Sequence, residues 1–128
     1  MHSQIAMNIQ GVEVFLNEFL ALARVNDIIF FGRDKNLDAL LELDITSNRR
    51  RDILLELKAD DYVDGPLENK SVGMNGDVWV FGKVIRKSEV YIKVCINQLA
   101  NNRGKRSICI SFHIAEHPLV YMFKGEGK

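Results

Sequence analysis

The chain is poor in the residues that staple or interrupt a fold: its 128 residues include two cysteines, two prolines and one tryptophan. Two cysteines cannot build the disulfide framework of a small secreted scaffold, so Cys95 and Cys109 read as free thiols in a reducing cytoplasm. No apolar run nears the roughly 18 residues that cross a bilayer, and the opening MHSQIAMNIQ lacks the charged-then-apolar layout of a signal peptide. A cytoplasmic protein without a membrane partner is the expectation. Net charge is also missing, with 17 Lys plus Arg against 17 Asp plus Glu, so no overall basic signature points to nucleic acid. Without repeats or staples, a single domain over 1–128 must be held by its own core.

The balance of charge hides a division. Residues 1–76 carry eight basic and thirteen acidic side chains and 77–128 carry nine and four, a net −5 and +5. An anionic partner is therefore expected on the C-terminal half. Periodicity divides the chain at the same place. GVEVFLNEFLALARVN (11–26) sets Val12, Phe15, Leu16, Phe19, Leu20 and Ala23 on one helical stripe. DIIFFGR (27–33) reads as a short strand. Asn36 is expected to cap a helix carrying Leu37, Leu40, Leu41 and Leu43, and Thr46 or Ser47 one that buries Ile53, Leu54 and Leu57. Arg49, Arg50 and Arg51 read as a solvated face pairing with Asp52 or Glu56. Residues 59–76, acidic and glycine-bearing, read as a long loop.

From residue 77 the period changes to 2. DVWVFGKVI and EVYIKVCIN flank a hairpin turn at RKS, RSICISFH follows as a third strand, and PLVYMFK is a candidate last strand. The fold class expected is α+β, with N-terminal helices packed on one face of a mainly antiparallel sheet. Strict alternation places Val90, Ile92, Val94 and Ile96 on one face with Tyr91, Lys93 and Cys95 opposite. It likewise separates Ile108, Ile110 and Phe112 from Cys109, Ser111 and His113. Matching apolar faces can set Tyr91 across from His113, Lys93 from Ser111, and Cys95 from Cys109, while other even shifts of register keep the faces and change the partners.

That second face gathers a phenol, an ammonium, a hydroxyl and an imidazole. Cutting RNA without a metal needs a base for the 2′-hydroxyl proton, cations for charge on phosphorus, and an acid for the leaving oxygen. His113 and Tyr91 are the candidate proton-transfer groups and Lys93 the cation, joined by Lys83 if Gly82 marks a bulge. Polar alternation is equally the default of any half-exposed antiparallel sheet, and a non-catalytic module binding RNA or protein through a basic sheet fits the same pattern. A small-molecule pocket on the sheet is a third reading. Tyr62, Lys105, Arg106 and Ser111 are the candidate RNA contacts. Trp79 and Phe81 read as core, and His117 before Pro118 as a loop residue. No cofactor is implied, and His113, His117 and the cysteines lack a recognised zinc-ligand spacing.

The succession DIIFFGR, LDALLELDI, ILLEL, DDYVDGP, DVWVFGK, EVYIKV and ICISFH resembles the MqsR family of bacterial type II toxins over roughly 12–113. The resemblance implies a RelE-like fold, ribosome-independent mRNA endoribonuclease activity, mRNA as substrate and a cognate antitoxin protein as partner. The family's catalytic tyrosine falls on Tyr91, the neighbouring lysine on Lys93, and a functional lysine on His113, a residue that also moves protons near neutrality. Two further functional positions depart from the pattern: a lysine falls on Asp64 and a glutamine on Val80. An aspartate repels a phosphate and a valine cannot hydrogen-bond one, so these departures bear first on sequence preference.

Overall fold

Asn8 opens the first helix by accepting the Gly11 N–H at 2.9 Å, satisfying one of the donors that every helix start leaves unpaired. Helix α1 (Ile9–Asn26), in the computed structural model that describes residues 8–124, buries Val12, Phe15, Leu16, Phe19 and Ala23, the expected stripe. A three-residue strand β1 (Ile28–Phe30) and helices α2 (Asp34–Leu43) and α3 (Ser47–Leu55) follow. Thr46 caps α3 through Arg49 N–H. Strands β2 (Tyr62–Leu67), β3 (Val78–Ile85), β4 (Ser88–Gln98) and β5 (Lys105–Ile114) complete a sheet of order β1-β5-β4-β3-β2. Only β1 runs parallel to its neighbour.

The protein is thus α+β, three helices packed with a five-stranded, mostly antiparallel sheet. One face of the sheet, with Trp79, Phe81, Val90, Ile92, Val94, Cys109 and Phe112, forms the main core with the helices. Phe15 stacks on Trp79 at 4.5 Å between ring centroids, placing that tryptophan and Phe81 in the core as expected. Each such aromatic or branched side chain contributes about 1.5–3 kcal/mol by leaving water. Among the described residues no helix is long and apolar enough to cross a membrane.

Strict alternation fails at one residue of β5. Lys93 pairs with Ser111 but Val94 pairs with Cys109, so Ile110 is a β-bulge. The expected pairing of Cys95 with Cys109 is corrected: Cys95 faces Ile108. The bulge turns Cys109 toward the helices beside Phe112, and sends Ile108 and Ile110 to the opposite face with Val78 and Cys95. Both cysteines are free, and they lie on opposite faces.

Asn36 braces that bulge. Its side-chain amide donates to the carbonyls of Ile110 (2.9 Å) and Phe31 (3.0 Å) and accepts the Phe112 N–H (3.0 Å), continuing the β5 ladder where β1 stops. Asn36 is therefore no cap. The cap lies three residues earlier, at Arg33, the buried residues of the helix are Asn36, Ala39 and Leu43, and Leu37 and Leu41 point to solvent. A polar residue on the buried face defeated a reading based on apolar spacing.

Three other expectations change, and the expected hairpin is borne out. The long loop contains an irregular edge strand, β2, whose Pro66 lacks a ladder donor and is tolerated only at an edge. The hairpin closes at Arg86 and Lys87, both with positive φ, as tight two-residue turns require. PLVYMFK is not a strand but a strap laid across the sheet. Of the arginine triplet, Arg49 pairs with Glu56 and Arg51 with Asp52 and Asp27, whereas Arg50 is buried with its guanidinium 4.0 Å over Phe30.

Two measurements follow. Asn36→Ala strands the buried Phe112 N–H and Ile110 carbonyl, and denaturant unfolding should show a loss of about 2–4 kcal/mol; a loss below about 0.5 kcal/mol contradicts the brace. Burial raises the Cys95 thiol to about 11 and Cys109 to about 12 from 9.0. The folded chain holds protons that the unfolded chain sheds above pH ~9, so stability falls as pH rises through that range. Urea midpoints should decline as pH rises above about 9 towards 11; constant midpoints count against it.

Candidate active site

On the sheet face away from the main core, the register brings the expected groups together. Tyr91 of β4 pairs with His113 of β5, their rings stacked at 5.2 Å between centroids and 18° between planes. Lys93 pairs with Ser111 one step along. These four line a hollow of about 600 Å³. Its second wall is the turn from β1 into α2, with Arg33, Asp34, Lys35 and Asn36, and its third is the segment after β5, with Glu116, His117 and Leu119. Arg33, Tyr91 and Lys93 also line an adjoining hollow of about 290 Å³ beside Lys70 of the 68–77 loop.

Of the cations that line the hollow, Lys35 is paired with Glu116. Neither Arg33 nor Lys93 is ion-paired among the described residues. Burial, and then the nearby Arg33 charge, lower the Lys93 ammonium below its ordinary pKa. Two like charges in a half-buried site are unfavourable until an anion enters. Burial raises the Tyr91 phenol, with Asp64 adding to the shift, so it stays protonated across the neutral range. The His113 Nδ1 lies 3.0 Å from the Ile114 carbonyl. A carbonyl only accepts, so Nδ1 carries the proton of the neutral ring and Nε2 keeps the free lone pair.

The strap shapes the remaining wall. Glu89 accepts the Leu119 N–H at 3.0 Å and the Tyr121 hydroxyl at 2.8 Å. Phe123 then stacks on Tyr62 at 5.5 Å. The strap passes over Gly82, where a Cβ would lie 2.5 Å from the Tyr121 hydroxyl and 2.7 Å from Leu119. Lys35 and Glu116 form an ion pair joining α2 to the strap, and that contact holds the Glu116 carboxyl below its usual range.

Four expected residues lie elsewhere. Lys83 pairs with Val90, faces the helices and bonds Asp61 at 3.0 Å; Gly82 interrupts no register and marks the strap crossing, not a bulge. Tyr62 is buried among Trp79, Phe81 and Phe123, with its hydroxyl donating to the Gly65 carbonyl. Lys105 bonds Glu18 at 2.8 Å and Arg106 the Asn26 carbonyl at 2.9 Å, at the far end of β5. Seven residues separate Arg106 from His113, roughly 23 Å of strand. Of the two departures from the toxin pattern, Val80 is buried opposite Lys93, and Asp64 is exposed with its charge felt by Tyr91.

Sequence reading missed Arg33, Lys35, Glu116 and His117. The signal for Arg33 was its place just past a strand that proves parallel to β5, since ligands gather at the carboxyl ends of parallel strands. Nothing in the alternation pattern signals the strap. Among the described residues no three His, Cys, Asp or Glu side chains converge as a metal-ligand set. Comparison of the chain with protein-family models, curated proteins and solved structures finds no match.

Glu89→Ala removes the two hydrogen bonds at Leu119 and Tyr121, about 1 kcal/mol each. Chymotrypsin should then cut between Leu119 and Phe123 about tenfold faster or more, with the remaining fold intact; an unchanged rate shows that Glu89 does not hold the strap.

Proposed function

We propose that the chain is an endoribonuclease that cleaves mRNA by metal-independent transesterification in the Tyr91–His113 hollow. The observation that supports it most is the stacked tyrosine–histidine pair sharing one cavity with two unneutralised cations, Arg33 and Lys93. His113 Nε2 takes the proton of a ribose 2′-hydroxyl, and the 2′-oxygen attacks the adjacent phosphorus. Lys93 and Arg33 hold the non-bridging oxygens as charge builds on them, and the protonated Tyr91 donates a hydrogen bond to the same group. The bond to the 5′-oxygen breaks, leaving a 2′,3′-cyclic phosphate and a 5′-hydroxyl. The resemblance to MqsR-type toxins adds a cognate antitoxin protein that restrains this activity in the cell.

Incubating the purified protein with a defined mRNA in EDTA tests the reading. Cleavage should persist in the chelator. His113→Ala should lower the rate by about 10²–10⁴ and Tyr91→Phe by about tenfold or more. Intact RNA with retarded mobility would replace the enzyme by a binding module, and intact, unshifted RNA would remove RNA from the account altogether.

A further inference from the structure

RNA transesterification needs two proton transfers, and the Tyr91–His113 pair accounts well for only one of them. A general acid works best when its pKa lies near the working pH. The Tyr91 phenol is poorly matched, because its burial raises a pKa that is already far above neutral. A second imidazole lines the same hollow, from the segment after β5. His117 sits on the exposed mouth of the cavity, while His113 is half-buried at its floor.

His117 is held there by built structure. Pro118 restricts the His117 backbone to extended conformations. Immediately afterwards Glu89 fixes the Leu119 N–H and the Tyr121 hydroxyl, and Gly82 leaves the space through which the strap passes. The charged groups around it come from three elements. Arg33, Asp34 and Lys35 face it from the start of α2, Tyr91 and Lys93 from β4, and His113 from β5. Its neighbour Glu116 feels the positive form of both histidines, after the dominant pull of Lys35.

From the placement of two imidazoles in one hollow with unpaired cations, one half-buried on its floor and one exposed at its rim, we infer that His117 is the general acid of the proposed RNA cleavage, paired with His113 as base. This assignment rests on the endoribonuclease reading. As the 2′-oxygen bonds to phosphorus and gives its proton to His113 Nε2, the P–O5′ bond breaks and the departing oxygen takes a proton from the His117 imidazolium. Exchange with water then returns the His113 proton to solvent and reprotonates His117, so no other reactant is consumed.

The test compares ordinary RNA with the same RNA carrying sulfur in place of the bridging 5′-oxygen at the cleavage site, a leaving group that departs without protonation. Wild-type protein should cut both. His117→Gln should cut ordinary RNA about 10²-fold more slowly, lose the fall in rate on the alkaline side of the pH profile, and recover to near the wild-type rate on the sulfur substrate. His113→Gln should remain slow on both. An unchanged thermal midpoint in His117→Gln controls for folding, since the side chain is exposed. Wild-type rates for His117→Gln on ordinary RNA, or a deficit that sulfur does not relieve, overturn the acid assignment while leaving the enzyme reading intact. Wild-type protein that leaves ordinary RNA uncut overturns both.

Discussion

The side-chain amide of Asn36 is the contact on which the geometry of this protein turns. It replaces a missing stretch of β1 by bonding the carbonyl of Ile110 and the N–H of Phe112, on either side of Ser111. A bulge at that point would otherwise leave a buried donor and acceptor unpaired, each a cost of about 1–3 kcal/mol. With the amide in place, β5 changes face once. Cys109 and Phe112 both enter the helix-side core, while Ser111 and His113 stay on the opposite face with Lys93 and Tyr91. Because Asn36 also bonds the Phe31 carbonyl, the same side chain fixes the turn that carries Arg33 to the hollow.

The hollow combines elements of different rigidity. Its floor is central sheet, where Ser111 is nearly inaccessible to solvent, and the wall beside it contains the equally buried Asn36. Its rim is made by the first turn of α2 and by a strap tied to the sheet through the Glu89 carboxylate and, further on, through Met122 and Phe123 on Tyr62. Lys93 on the floor and Arg33 on the α2 wall face the space without ion-pair partners among the described residues, and Lys35, the cation that is paired, uses its partner Glu116 to join two walls. Such an arrangement is poised for a ligand bearing distributed negative charge, and a rigid stacked histidine beside it limits the orientations a reacting group can take.

Much of this was legible in the sequence. The period-2 runs from 77 onward gave the hairpin and β5, and matching apolar faces gave the Tyr91–His113 and Lys93–Ser111 pairs. What escaped has a common physical cause. Alternation assumes uninterrupted pairing, so it could not foresee a bulge whose stabilising partner is an asparagine 74 residues away. Apolar spacing on α2 selected Leu37 and Leu41, whereas the buried face is chosen by that asparagine. Lys83 was assigned to the functional face through an assumed bulge at Gly82, and the regular register there returns it to the helix side beside Asp61. The strap is held by hydrogen bonds to Glu89, a contact with no sequence periodicity, and with it His117 stayed a loop residue.

The central claim is that this hollow breaks RNA through the ribose 2′-hydroxyl, and one substitution in the substrate tests it. An RNA cut by the protein is remade with a single 2′-deoxynucleotide on the 5′ side of the cleaved phosphate. The account predicts that this one bond becomes resistant, and that the unmodified RNA yields a 2′,3′-cyclic phosphate and a 5′-hydroxyl. Cleavage of the deoxy-substituted bond at the original rate would show that water, not the 2′-oxygen, attacks phosphorus, and would contradict the mechanism built on His113.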